Sequence, residues 1–210
     1  GEAKAQFLAH MSHEIRTPIN TIIGMNEMIL RENRDETIKE YACNIESTSK
    51  HLLGLINDVL DFSKIDAGKL EITPVHFSLN GMLNLVVQEL KMKAENKGLH
   101  AEVRIDPSLP KTLLGDELRI RQIMSNLTSN AIKYTKEGMV TFTVEGRRSE
   151  KEFELCFSVA DTGIGIRNED IGSLFESFQR IEEGRNRHIE GTGLGLAITK
   201  QLTELMNGNI

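Results

Sequence analysis

Apolar residues recur at helical spacing in the first third of the chain and alternate with polar ones further on. In AHMSHEIRTPINTIIGM, at about 100° per residue, Met11 and Ile15 share a stripe with Leu8, Ile19, Ile22 and Ile29. The spacing predicts a helix over 2–30. RENRDE breaks the pattern, with Asn33 and Asp35 as turn and N-cap formers. A second helix over 36–65 follows from a heptad-like repeat. Ile38, Ile45, Leu52 and Val59 return every seven residues, Ala42, Ser49 and Ile56 form a second seam, and Leu55 and Phe62 widen the face. A short turn between two long amphipathic helices makes an antiparallel hairpin. Two helices cannot enclose a core, so burial alone predicts a homodimer, paired as a four-helix bundle.

Gly68 is placed to end the second helix as a C′ residue. KLEI reads as strand-like ahead of Pro74, and the domain boundary is expected at 69–78. That divides the chain into a hairpin over 1–68, a linker over 69–78 and a second domain over 79–210. In the second domain a helix is predicted over 80–96, with Met82, Leu85, Val86 and Leu90 inward and Gly98 as its stop. LHAEVRI alternates as a strand does. LLGD reads as a short strand ending at Asp116, the N-cap of a helix over 117–135 with Ile120, Ile123, Leu127 and Ala131 inward. MVTFTVEGR and EFELCFSVAD read as a β-hairpin, and glycine loops and helices alternate to Asn207. Helices on a mixed sheet make an α/β sandwich. The fold class expected is therefore α+β and multidomain.

Composition narrows the function classes. The net charge is −6 and no basic run exists, which argues against a broad nucleic-acid surface. No run approaches the roughly 18 apolar residues of a membrane span, and GEAKAQ does not read as a signal peptide. Cys43 and Cys156 are isolated, without metal-ligand spacing, and are expected as buried thiols in a reducing cytosol.

The first chemistry lies at His13. It stands two residues from both Met11 and Ile15, about 200° from the apolar stripe, and should face water. Thr17 at i+4, Asn20 at i+7 and Gly24 at i+11 share its side. Pro18 removes a backbone N–H and should bend the helix just past the histidine. A solvated polar face explains any one of these features. A nucleophilic imidazole explains them together: near pH 7 neutral histidine has one basic nitrogen, and the adjacent Glu14 can hold or take the proton on the other.

The second chemistry lies on three elements of the sandwich. NLTSNAIKYT puts Asn126 and Asn130 at i and i+4 and Lys133 at i+7 on one helical stripe, which suits a magnesium–triphosphate unit. DTGIGI follows a strand directly: Asp161 could accept from an exocyclic amine, and Gly163 and Gly165 let a base or ribose approach the backbone. GTGLGLAI sets Gly191, Gly193 and Gly195 before an apolar helix whose N–H groups can hold phosphates. Taken singly, a solvated helix face, a tight turn and a loose glycine motif would account for each.

MSHEIRTPINTIIG resembles the H box of the sensor histidine kinases of two-component systems. The later motifs, in order, resemble the N, G1, F and G2 boxes of that family's GHKL-type ATP-binding domain. The resemblance implies a protein-histidine kinase using ATP and Mg²⁺, with His13 as phosphoacceptor, Glu14 as general base, and Thr17 orienting water for dephosphorylation of the partner. It implies Asn126, Asn130 and Lys133 at Mg²⁺ and phosphate, with Tyr134 in the nucleotide pocket. Asp161 would read the adenine amine beside Gly163 and Gly165, and Gly191, Thr192, Gly193, Leu194 and Gly195 would lie at the phosphates. Phe175 and Phe178 would be the F-box aromatics, and Arg180, Arg185 or Arg187 would reach the γ-phosphate from the charged stretch IEEGRNRHIE, a lid. The partners implied are a second copy and a response-regulator receiver domain, not nucleic acid.

The chain stops at NGNI where the family continues with further strands, so a cytoplasmic catalytic-core fragment is expected, any membrane anchor lying in sequence outside it. The rival readings are a GHKL-type ATPase switch and a pseudokinase dimer scaffold. ATPases of that kind carry a glutamate four residues before the metal-binding asparagine, where this chain has Asn126, and an amide is a poor base for water.

Overall fold

The computed structural model describes residues 2–148, 152–176 and 193–210, with side chains from residue 15 onward. The chain divides into two compact units, Gly1–Glu71 and Ile72–Ile210.

The first unit is the hairpin. α1 (Glu2–Glu32) runs through Pro18 as one helix, and α2 (Glu36–Asp66) follows after three residues. Asp35 caps α2, its carboxylate accepting from Thr37 N at 2.9 Å and Ile38 N at 3.3 Å. Gly68 takes the left-handed conformation at φ +63° just past the helix end. The side chains buried between the helices include Ile19, Asn26, Ala42 and Ser49, and the small ones let the backbones approach. The Asn26 amide donates to the Ala42 carbonyl, and Arg16 Nη2 donates to Asn57 Oδ1 at 2.8 Å.

The expected second seam is therefore the inner one. The heptad row Ile38, Ile45, Leu52 and Val59 stays 36–45% exposed, as do Ile15, Ile22 and Ile29 at 40–47%. A pair of helices covers only a narrow strip of each other, so one stripe of each apolar face lacks cover within the hairpin. Cys43, expected buried, is exposed on α2, and Cys156 is half-buried.

The second unit is a sandwich of helices on a mixed sheet. β1 (Val75–Ser78) pairs antiparallel with β3 (Thr112–Gly115). The strand-like stretch at KLEI forms no strand; pairing begins instead at Val75, within the stretch expected to be linker. α3 (Leu79–Lys97) is capped by Ser78, whose hydroxyl accepts from Gly81 N, and ends at Gly98 with φ +70°. β2 (His100–Ile105) runs parallel to β4 (Met139–Arg148), which pairs antiparallel with β5 (Phe153–Asp161). α4 (Glu117–Tyr134) starts at Asp116, whose carboxylate accepts from Arg119 N at 3.1 Å, and from Thr73 N at 3.0 Å through its other oxygen. Two further helices are α5 (Asn168–Ile171) and α6 (Gly195–Leu205).

The core lies between the sheet and α3 and α4. Val140, Phe142 and Val144 alternate inward along β4 and meet Met82, Leu83, Val86 and Leu90 of α3 and Met124, Ala131 and Ile132 of α4. Leu85, expected inward, is 48% exposed and Leu83 takes its place. The inward arc of α3 passes through positions 79, 82, 83, 86, 90 and 94, and 85 falls outside it.

Candidate functional site

In the hairpin, His13 and Glu14 fall in α1 and their side chains lie outside the described residues. Thr17, Asn20 and Gly24, expected on the same side, are all exposed. The Thr17 carbonyl accepts from Thr21 Oγ1 at 3.0 Å. On α2 the Asp58 carboxyl is pushed up to about 6 from its ordinary 3.8, chiefly by burial, then by the charge of Asp61, with His51 pulling it back.

In the sandwich α4 has a neighbour at two levels: the start of α6 meets its middle at Asn126, and the loop after β5 meets its C-terminal end at Tyr134. Asn126, Asn130, Lys133 and Tyr134 are all half-buried on α4. Asn126 Nδ2 donates to Thr199 Oγ1 on α6 at 2.6 Å. A Cβ on Gly195 would stand 2.6 Å from Asn126 Oδ1, so only glycine allows this approach. Leu194 is fully buried beside it, and Gly193 is left-handed at φ +71°. Asn130 makes no side-chain hydrogen bond among the described residues and presents a hard oxygen of the type Mg²⁺ takes. Lys133 Nζ lies 5.0 Å from the centre of the Tyr134 ring.

Asp161 ends β5 with an exposed side chain whose Oδ1 accepts from Gly163 N at 2.8 Å. A Cβ on Gly163 would lie 2.5 Å from the Tyr134 carbonyl oxygen, which also accepts from Ile164 N at 3.3 Å. Gly165 adopts φ +70°. The loop is thus laid against the C-terminal end of α4. Phe175 is half-buried with Lys200 Nζ 5.8 Å from its ring centre. Gly191, Thr192, Phe178, Arg180, Arg185 and Arg187 lie outside the described residues.

Comparison with known proteins follows the same division. Residues 3–68 match the model of the His Kinase A phospho-acceptor domain, and residues 115–210 that of the histidine kinase-, DNA gyrase B- and HSP90-like ATPases. The chain belongs to the sensor histidine kinases. It is 41% identical over 210 residues to hybrid signal transduction histidine kinase B of Dictyostelium discoideum, covering 100% of this chain and 11% of that one. It is 41% identical over 208 residues to the signal transduction histidine-protein kinase BarA of Escherichia coli K12, covering 99% and 23%. The structure of full-length ShkA in complex with AMPPNP superposes with a TM-score of 0.72 at 33% identity, over 96% of this chain and 41% of that one. The chain thus spans 11% and 23% of the length of those two curated relatives. No helix among the described residues is long and apolar enough to cross a membrane.

Sequence reasoning missed a row on α3 that grips α4. Glu89 Oε2 accepts from Ser125 Oγ at 3.0 Å, and Lys93 Nζ donates to Glu89 Oε1 at 2.6 Å and to Ser129 Oγ at 2.7 Å. Lys97 Nζ donates to the carbonyls of Ile132 and Lys133 at 2.7 and 2.8 Å. The signal was the i, i+4, i+8 spacing of Glu89, Lys93 and Lys97, which looks like any solvated helix face.

Proposed function

We propose that the chain transfers the γ-phosphoryl group of ATP to His13 and passes it to an aspartate on a separate response-regulator receiver domain. The main support is the union in one polypeptide of a phosphoacceptor-type hairpin and an ATPase-type unit whose α4, DTGIGI loop and α6 meet at contacts only glycine permits.

His13 attacks the γ-phosphorus in line. A P–N bond forms, the bond to the leaving oxygen of ADP breaks, and the proton on the other imidazole nitrogen is held or taken by Glu14. Asp161 accepts from the adenine amine while its Oδ1 keeps the loop closed on Gly163. Lys133 supplies a point charge to the phosphates, with Tyr134 beside the nucleotide. Gly193, Leu194 and Gly195 offer backbone N–H groups where α6 begins, and Gly191 and Thr192 of the same motif are assigned to the phosphates with them. Asn130, with Asn126 one turn before it, would hold Mg²⁺, which when bound offsets phosphate charge.

Thr17, one turn past His13, orients water for removal of the phosphoryl group from the regulator. The regulator docks on the α1 surface around His13. A second copy covers the row Ile38, Ile45, Leu52 and Val59, completing a four-helix bundle.

Incubation with radiolabelled ATP tests the proposal. Wild type should acquire label that is lost in acid and survives base, as a phosphohistidine does. His13→Gln should acquire none yet bind nucleotide as wild type does. Label appearing only as free inorganic phosphate would overturn the proposal in favour of an ATPase.

A further inference from the structure

An α-helix leaves its last four carbonyls without partners inside the helix. In α4 these belong to Ala131, Ile132, Lys133 and Tyr134. Ala131 O accepts from Thr135 N at 3.1 Å and from Thr135 Oγ1 at 2.7 Å. Tyr134 O accepts from Ile164 N in the loop after β5. The remaining two, Ile132 O and Lys133 O, are both taken by one atom, Lys97 Nζ. Every carbonyl is accounted for, and a single cation from another helix satisfies half of them.

We infer that Lys97 is a positioning residue for the nucleotide site. It holds the C-terminal end of α4, and through it Lys133, Tyr134 and the Asp161–Gly165 loop, in the arrangement that receives nucleotide. Lys97 is the last residue of α3, and its backbone is set by the turn that follows. Gly98 N donates to Glu95 O at 3.0 Å and Leu99 N to Ala94 O at 2.9 Å, with Gly98 left-handed and Leu99 buried. The ammonium therefore meets α4 from a fixed root. It meets it where the helix dipole is negative, so the contact is favourable in charge as well as in hydrogen bonding.

The next carbonyl of α4, Tyr134 O, meets the Asp161–Gly165 loop of the proposed nucleotide site. Gly163 approaches Tyr134 O too closely for any Cβ, so a small displacement of the α4 terminus moves the loop with it. The other members of the α3 row act differently. Glu89 and Lys93 hold the side chains of Ser125 and Ser129 further up α4 and touch none of its terminal carbonyls. Lys97 alone in that row acts on the backbone next to Lys133 and Tyr134.

This inference rests on the nucleotide reading given above, and the test separates the two. Calorimetric titration of the full chain with Mg²⁺ and ADP is set beside the amide resonances of Gly163 and Ile164. Lys97→Met keeps the length of the side chain and removes the charge. It should weaken ADP binding by about tenfold or more, as loss of charge-assisted hydrogen bonds would, and shift the Ile164 amide. Lys97→Arg should restore both. Lys93→Met should lower the melting temperature but leave ADP affinity and the Ile164 amide as in wild type. If Lys97→Met fails to fold, Lys97→Gln is judged by the same criteria.

Wild-type affinity in Lys97→Met with an unmoved Ile164 amide would overturn the inference while leaving the nucleotide reading intact. So would equal weakening in Lys93→Met, since the effect would then belong to α3–α4 packing in general. A wild-type chain that binds no ADP would remove the nucleotide reading and this inference with it.

Discussion

The side-chain amide of Asn126 on α4 donates to the hydroxyl of Thr199 on α6 at 2.6 Å, joining residues that stand far apart in the chain. Thr199 is buried, and its own carbonyl accepts from Thr203 Oγ1 at 2.8 Å. The pair ties the helix that carries the asparagines to the helix that opens after the glycine loop.

Thr199→Val keeps the shape of the side chain and removes the acceptor. The Asn126 amide is left without its partner, a loss worth about 1–3 kcal/mol. The melting temperature should fall and nucleotide affinity should fall with it, because α6 is no longer held against α4. Differential scanning calorimetry and nucleotide titration check this; unchanged values in both would show that the contact is not maintained in solution.

Gly163→Ala would place a Cβ 2.5 Å from the Tyr134 carbonyl oxygen and 2.7 Å from Asp161 Oδ1. Neither neighbour is the far end of a long flexible chain, so the loop must move. A cost of roughly 1–3 kcal/mol is expected, as for overpacked sites, together with a larger loss of nucleotide binding than the loss of stability explains. Titration well below the melting temperature distinguishes the two effects.

Asp58 makes hairpin stability depend on pH. Its folded pKa of about 6 lies above the ordinary 3.8, first through burial and then through Asp61. Its native form therefore binds the proton more tightly than the unfolded chain does. The stability this provides is present at low pH and is lost as pH rises through about 6. Asp58→Asn should abolish that slope and be more stable than wild type at neutral pH. Melting curves of the full chain across this range, for both proteins, give the comparison.

Ile45 and Leu52 are 45% and 44% exposed in the single chain, in the middle of the uncovered heptad row. Ile45→Glu with Leu52→Glu would put charges at the centre of the proposed dimer seam, where burial of an unpaired charge is costly. Sedimentation should show wild type as a dimer and the double variant as a monomer that keeps its helical content. A variant that sediments as wild type does would place the dimer surface elsewhere.

The local layout was legible because it rests on short-range physics. Asp35, Asp116, Gly68 and Gly98 mark helix ends through caps and left-handed turns, and the strands of the sandwich alternate in side-chain character. The H-box and glycine motifs could be read from residue order alone. The stretch IEEGRNRHIE, read as a lid, lies outside the described residues.

What only tertiary structure decided is which faces meet. Periodicity placed two seams on α2 without saying which packs inward, and the answer, Ala42 and Ser49, depends on how closely two backbones can approach. Val75–Ser78 became a strand because Thr112–Gly115 offered an edge far along the chain, and no local propensity encodes that offer. The grip of Lys97 on the α4 carbonyls and of Asn126 on Thr199 joins segments that are distant in sequence. Residue order determined the kinds of group available and where helices begin and end. The long-range pairing of those groups follows from satisfying buried donors and acceptors in three dimensions, a condition that only the folded chain imposes.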